Sequence, residues 1–265
     1  MSKNPDLASP PVVGLSEVLE AGVGPLHRHG RAQLIYSADG VLVVTTERGT
    51  YVVPPQRAVW VAGGERHRVE ARRRVGLKTL YFDTTRVPNL PQATTVLQVS
   101  DLLRELVVTA VSIAWTWDSP SSEARLFRVL RDQLRLTAAA IAPLKLARGR
   151  DPRVLRACAA VERDPGRSLS LPELARIAKA GDRQLARLFV AETGVTPAAW
   201  REQLRLLLAL ELLGSGEPIT AVALELGYSS ASSFGVMFKR ALGTSPGRYF
   251  NAARQAAGSS ARAMP

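Results

Sequence analysis

Apolar residues in the first third of the chain come in short, β-branched or alternating runs. Gln33-Leu34-Ile35-Tyr36, Val41-Leu42-Val43-Val44-Thr45-Thr46, Thr50-Tyr51-Val52-Val53 and Ala58-Val59-Trp60-Val61 are four of them. Asp39-Gly40, Arg48-Gly49, Pro54-Pro55 and Gly63-Gly64 punctuate the series, and a fifth run covers residues 77–82. Short strands with regular turn residues predict a small sandwich or barrel. From Ser100 the period lengthens. Leu102, Leu103, Leu106, Val107, Ala110 and Val111 recur at three- to four-residue spacing, with Ser100 or Asp101 as N-cap. A second helix is expected over about 123–144, carrying Leu126, Val129, Leu130, Leu134 and Leu136. One apolar stripe of these helices would cover the barrel. A second would face a partner chain, unless the pair simply caps the barrel. Arg148-Gly149-Arg150-Asp151-Pro152 reads as a linker.

The remainder is helical and repeats itself. Ser170-Leu171-Pro172-Glu173 has capping-box spacing and starts a helix, which breaks at Lys179-Ala180-Gly181. A second helix follows over 182–192, with Leu185, Leu188 and Phe189 inward. Two short helices joined by a tight turn form a helix-turn-helix. The pattern returns about 48 residues later. Ala223 matches Ala175, where the two helices must approach closely, and Phe234 and Phe238 match Leu185 and Phe189 at an offset of 49. The second turn, Gly227-Tyr228-Ser229-Ser230, is therefore one residue longer. Between the units, Thr196-Pro197 caps a helix carrying Trp200, Leu204, Leu207, Leu208 and Leu212. A helix of about 17 residues spaces the units by about 25 Å, which suits two recognition helices one DNA turn apart.

Composition narrows the class. The chain has 265 residues, net charge +12 and a single cysteine, so an internal disulfide framework and a cysteine zinc site are excluded. No apolar run reaches a membrane span, and Met1-Ser2-Lys3-Asn4-Pro5-Asp6 is unlike a signal peptide, so a soluble, cytoplasmic protein without a membrane partner is expected. The excess of lysine and arginine is +5 over residues 1–147 and +7 over 148–265, a mild asymmetry that raises nucleic acid as a partner without deciding it.

Residues 152–252 resemble the AraC/XylS (arabinose-regulator) family of bacterial transcription factors. The likeness is carried by Leu174-Ala175, Leu185-Ala186-Arg187-Leu188-Phe189, Glu192-Thr193-Gly194-Val195-Thr196-Pro197, Ala223-Leu224-Glu225-Leu226-Gly227-Tyr228-Ser229-Ser230, Phe234, Phe238-Lys239-Arg240 and Gly243-Thr244-Ser245-Pro246-Gly247-Arg248-Tyr249. Lys179 and Gly181 depart from it, standing where the family usually has glycine and a serine cap. In such folds the exposed N-terminal face of each second helix meets base edges. The first unit offers Arg183, Gln184 and Arg187 there, and arginine pairs bidentately with guanine. The second offers Ser232, Ser233 and Val236, with no long polar side chain, so the first unit is expected to dominate specificity. Lys239, Arg240 and Arg248 are expected phosphate contacts.

All three histidines lie in the strand-rich half. His27-Arg28-His29, then Gln33, Gly40 and Gly64-Glu65-Arg66-His67, resemble the two cupin motifs, with Gln33 for the usual glutamate and Ala62 for proline. Arabinose-family regulators often carry a cupin-like sensing barrel, so the two halves agree. Three imidazoles can hold a divalent metal such as zinc. They can equally contact an organic ligand or hold the fold. Gln33, Tyr36, Trp60 and Tyr81 are candidate cavity residues; Trp60 is equally a core residue. The triple Arg72-Arg73-Arg74 reads as a solvated loop.

The expected architecture is α+β and multidomain. It comprises a flexible tail over 1–20, a cupin-like β-barrel over 21–92, a helical linker or dimerisation segment over 93–147, a DNA-binding domain over 148–254 with helix-turn-helix units at about 171–192 and 219–240, and a tail over 255–265. The resemblance implies a one-component, ligand- or metal-responsive regulator of promoter DNA, working as a homodimer with RNA polymerase as a contact, and an activator by analogy. The alternative is a cupin-type metal enzyme fused to a DNA-binding domain. No acid/base pair accompanies the histidines, so no enzyme is expected.

Overall fold

The computed structural model describes residues 4–137 and 144–251. Among these, residues 4–47 and 51–137 form one unit, and 48–50 with 144–251 the other. The first unit opens with a 3-10 turn at Pro5–Leu7. Its strands are β1 (Val12–Leu19), β2 (Gly22–Val23), β3 (Ala32–Tyr36), β4 (Leu42–Thr46), β5 (Gly49–Val53, whose first two residues count with the other unit), β6 (Arg57–Val61), β7 (His67–Ala71), β8 (Val75–Phe82) and β9 (Thr95–Gln98). One sheet runs β1-β8-β3-β6-β9 and the other β5-β4-β7-β2.

Side-chain parity divides the first sheet. In β3 the register pairs Gln33 with Tyr81 and Val61, and Leu34 with Leu80 and Trp60. Alternation then sends Gln33, Ile35, Thr79 and Tyr81 to one face and Leu34, Tyr36, Trp60, Leu80 and Phe82 to the other. The second face packs beneath α1 (Asp101–Ala110) and α2 (Ser122–Thr137), where Leu103, Val107, Phe127, Leu130 and Leu134 join it in one core. Leu102, Val129 and Leu136 on these helices stay exposed.

Two boundaries move. Residues 12–19, read from sequence as part of a flexible tail, form an eight-residue strand paired along its whole length with β8. The edge of that strand is covered: the Trp115 and Trp117 indoles donate to the Gly14 and Val12 carbonyls at 2.7 and 2.9 Å. At Gly14 the backbone of Ala110 and Val111 comes so close that a Cβ would collide with it. The barrel also continues past residue 92, since β9 pairs with β6 at the start of the segment expected to be helical. The expected second helix is observed to Thr137; its remainder at 138–143, and the tail at 255–265, lie outside the described residues.

The second unit begins with β10 (Lys145–Ala147). Six helices follow: α3 (Pro152–Arg163), α4 (Leu171–Ala178), α5 (Asp182–Thr193), α6 (Pro197–Gly214), α7 (Ile219–Glu225) and α8 (Ala231–Leu242). The capping signals act as read. Ser170 accepts from the Glu173 amide while Glu173 reaches back to Ser170, and Thr196 accepts from Ala199 ahead of Pro197. The 18 residues of α6 span about 27 Å. Ala175 and Ala223 are buried, as close helix approach requires.

Candidate nucleic-acid interface and barrel site

The two helix-turn-helix units align as α4–α5 and α7–α8. Lys179 and Gly227 occupy equivalent turn positions, and both are left-handed, with φ of 55° and 75°. Gly227 also touches the Gly166 backbone so closely that no Cβ fits there. The first turn has no such neighbour, so a lysine is accommodated at the expense of strain. Gly181 then caps α5 without a side-chain bond, whereas Ser230 caps α8 with a full box.

That box has a consequence for DNA contact. Ser233 is its N3 member. Its hydroxyl donates to the Ser230 carbonyl at 2.8 Å and lies 3.2 Å from the Ser230 amide nitrogen, whose proton it accepts. Among the sequence candidates on α8, Ser233 is therefore engaged within its own helix end. Ser232 and Val236 remain exposed. On α5, Arg183, Gln184 and Arg187 are exposed, and none makes a side-chain hydrogen bond or ion pair among the described residues. Arg183 and Arg187 are one helical turn apart and so share a face. Lys239 and Arg240 sit in the last turn of α8, exposed, as is Arg248.

One positioning residue escaped the sequence reading. Arg205 sits on α6, 7% exposed. It donates to the Pro165 and Gly166 carbonyls at 2.7 and 2.8 Å, pairs with Glu202 at 3.4 Å, and lies 5.4 Å from the Tyr228 ring centroid. It thus ties the loop before α4 to the turn of the second unit, at the place where Gly166 meets Gly227. The signal was a lone arginine inside the apolar stretch 204–213.

In the barrel the three histidines converge. One ring nitrogen of each of His27, His29 and His67 lies within 4.8 Å of the others. The local folding explains this: His27 forms an antiparallel bridge with His67, and the Gly64 amide donates to the His29 carbonyl. Each Nδ1 donates to a backbone carbonyl: His27 to Pro25 at 2.9 Å, His29 to Arg31 at 2.6 Å and His67 to Glu65 at 2.9 Å. With Nδ1–H committed in this way, Nε2 carries the lone pair in the neutral form of each imidazole. His67 is fully buried, and burial lowers its pKa to about 4, so it is neutral at pH 7. Gln33 reaches into this cluster from β3. Its Oε1 lies 3.1 Å from His29 Nε2 and 2.9 Å from His67 Nε2, while its Nε2 donates to Thr79 Oγ1 at 2.8 Å and Tyr81 Oη at 3.1 Å.

Two of the four candidate cavity residues are thus with the histidines and two are not. Tyr36 and Trp60 lie on the opposite face of the first sheet, buried in the core under α1 and α2, with the Trp60 indole donating to the Pro91 carbonyl. The reason is parity: Tyr36 is an odd number of positions from Gln33 on β3, and Trp60 pairs with Leu34 rather than with Gln33, so both point to the other side. The arginine triple is exposed as expected, with Arg73 donating to the Asp39 carbonyl and Arg74 paired with Glu20.

Comparison with known proteins gives the same two parts. Residues 15–147 match the AraC-like ligand binding domain, half of the chain, and residues 174–252 match a helix-turn-helix domain. The HTH-type transcriptional regulator NimR of Escherichia coli (strain K12) is 34% identical over 225 residues, which is 85% of this chain and 81% of NimR. The chain belongs to the AraC-like family of transcriptional regulators. It is a DNA-binding regulator with a ligand-binding domain. A further relative, the RCS-specific HTH-type transcriptional activator RclR of the same strain, is 36% identical over 94 residues, covering 35% of this chain and 33% of RclR. Among solved structures, the DNA-binding domain of AdpA in complex with a target DNA is 30% identical over 40% of this chain and 96% of its own, with a TM-score of 0.37. These relatives are named as transcriptional regulators. Among the described residues no helix is long and apolar enough to cross a membrane.

Proposed function

We propose that this AraC-like regulator reads promoter DNA chiefly through α5 and uses α8 to position itself on the duplex. The observation that carries this reading is the contrast between the two helix faces. Arg183, Gln184 and Arg187 are exposed and uncommitted, whereas on α8 Ser233 is held in its cap and only Ser232 and Val236 are presented. A serine bonds several bases and a valine touches only a thymine methyl, so the second contact discriminates weakly. Lys239, Arg240 and Arg248 contact phosphates and fix register without reading sequence. In the cytoplasm, a homodimer formed through α1 and α2 engages paired half-sites, with Leu102, Val129 and Leu136 supplying the apolar contact. An effector bound in the barrel favours one of two arrangements of the regulator, and so changes promoter occupancy. Activation with contact to RNA polymerase follows the family resemblance.

The test is selection of operator sites from random DNA at fixed salt. Arg183→Ala and Arg187→Ala are each expected to cost about 1–3 kcal/mol on the selected site and to relax preference at one base pair. Lys239→Ala is expected to weaken all sequences alike and to reduce the slope of log K against log salt by about 1. Loss of preference on Val236→Ala with none on Arg183→Ala would overturn the assignment.

A further inference from the structure

Buried polar atoms in the barrel leave one pairing unexplained. His67 Nδ1–H is committed to the Glu65 carbonyl and His29 Nδ1–H to the Arg31 carbonyl. In the neutral imidazoles their Nε2 atoms are acceptors. Both face Gln33 Oε1, which is also an acceptor, at 2.9 and 3.1 Å. The amide orientation has its own support, because Thr79 Oγ1 donates to the Leu34 carbonyl and so accepts from Gln33 Nε2. Lone pairs converging at this distance in a buried site repel one another unless a cation lies between them.

We propose that His27, His29 and His67, together with the side-chain oxygen of Gln33, form a site for a late first-row divalent metal ion. Three further features fit. Each imidazole is held from behind by a backbone carbonyl on Nδ1, the outer-shell bond that orients a metal-binding histidine and exposes Nε2. Gln33 is held in the same way by Thr79 and Tyr81. The ring nitrogens lie within 4.8 Å of one another, and bonds of about 2.0–2.1 Å to one ion would draw them to about 3.3 Å apart, a closure of at most about 1.5 Å. Glu65 supplies its carbonyl to His67 and turns its carboxylate towards the Thr94 hydroxyl, so the donor set itself is neutral.

Neutrality decides which ion is taken. Imidazole suits zinc, copper, iron and nickel, while magnesium and calcium require several charged oxygen donors. The site should therefore select Zn²⁺ or Co²⁺ and ignore Mg²⁺. Four protein donors leave the ion with its full double positive charge and with positions open in five- or six-coordination. An anionic or chelating small molecule is the class of ligand that would complete it. This last step rests on the reading of the barrel as the sensing domain; the metal site itself does not.

The experiment uses the purified full chain, stripped with a chelator and dialysed. Titration with Co²⁺ should give visible d–d absorption that saturates at one ion per chain, with Zn²⁺ displacing it and millimolar Mg²⁺ leaving it unchanged. His27 is exposed, so His27→Ala should fold normally and bind Co²⁺ at least tenfold more weakly. Gln33→Glu should bind at least as tightly as the parent, because a carboxylate replaces the amide oxygen. No saturable Co²⁺ signal in the folded parent, or a signal that His27→Ala leaves unchanged, would overturn the proposal. The first of these results would mean that the Gln33 amide is turned the other way and donates directly to His29 and His67. Operator affinity is measured in parallel with and without Zn²⁺. Its indifference to metal would count against coupling between barrel and DNA, while the absorption titration judges the site.

Discussion

At the scale of single residues, Lys179 and Gly227 answer the same geometric demand differently. Both must adopt a left-handed backbone to turn one helix into the next. A residue with a Cβ is disfavoured in that conformation by about 1–2 kcal/mol. Lys179→Gly is therefore expected to stabilise the chain by about 1 kcal/mol in urea unfolding followed by far-UV circular dichroism, part of the gain being offset by glycine's entropy in the unfolded chain. Gly227→Ala is expected to cost about 2 kcal/mol or more, since strain and collision with the Gly166 backbone combine. Equal effects at the two positions would show that strain alone governs both turns and that the Gly166 contact is immaterial. The departure at Lys179 was visible in the sequence. That its backbone is nonetheless left-handed was not, because a lysine does not signal the helix-ending turn in which the Ala180 amide returns to the Ala175 carbonyl.

At the scale of elements, α8 and α5 begin differently although they hold equivalent places in the two helix-turn-helix units. The start of α8 is closed by the Ser230–Ser233 box, while α5 starts at a glycine with no side-chain cap. Ser233→Ala removes one half of the box and should lower stability by about 0.5–1 kcal/mol, with little effect on operator preference. Ser232→Ala, two residues beyond the cap and exposed, should leave stability within about 0.5 kcal/mol and change only DNA affinity. Thermal unfolding and operator titration of the two variants separate these outcomes, and a larger loss of DNA preference in Ser233→Ala than in Ser232→Ala would reverse the assignment. Strand β1 belongs to this scale as well. Its sequence, Val12-Val13-Gly14-Leu15-Ser16-Glu17-Val18-Leu19, falls within the tail expected over residues 1–20. Pairing with β8 and the two tryptophan bonds make it a strand, and none of those partners lies nearby in sequence.

At the scale of the whole molecule, the proposed homodimer rests on the outward face of α2. The inward stripe of α1 and α2 is fully used by the barrel core, while Val129 and Leu136, seven residues apart and hence on one face of α2, stay exposed at 46% and 73%. A double variant, Val129→Glu with Leu136→Glu, is expected to sediment as a monomer where the parent sediments as a dimer, with unchanged circular dichroism. Retention of the dimer in that variant would place the interface elsewhere.

The order of parts was legible in the sequence because each rests on local signals. Strand and helix periods differ, caps and turns announce themselves by residue type, and the duplicated helix-turn-helix carries its own internal standard. The histidine triad was legible for the same reason: a His-x-His spacing and a later histidine after a double glycine mark one site. What the sequence left open were matters of facing and partnership. Gln33 and Tyr36 share a strand, but an odd separation sends them to opposite faces, and only the register with β6 and β8 says which of them meets the histidines. Arg205 lies inside an apolar helical stretch, and only the fold brings the Pro165 and Gly166 carbonyls to it. Periodicity along a chain determines which residues can share a surface, whereas the identity of the facing surface depends on contacts between segments distant in sequence.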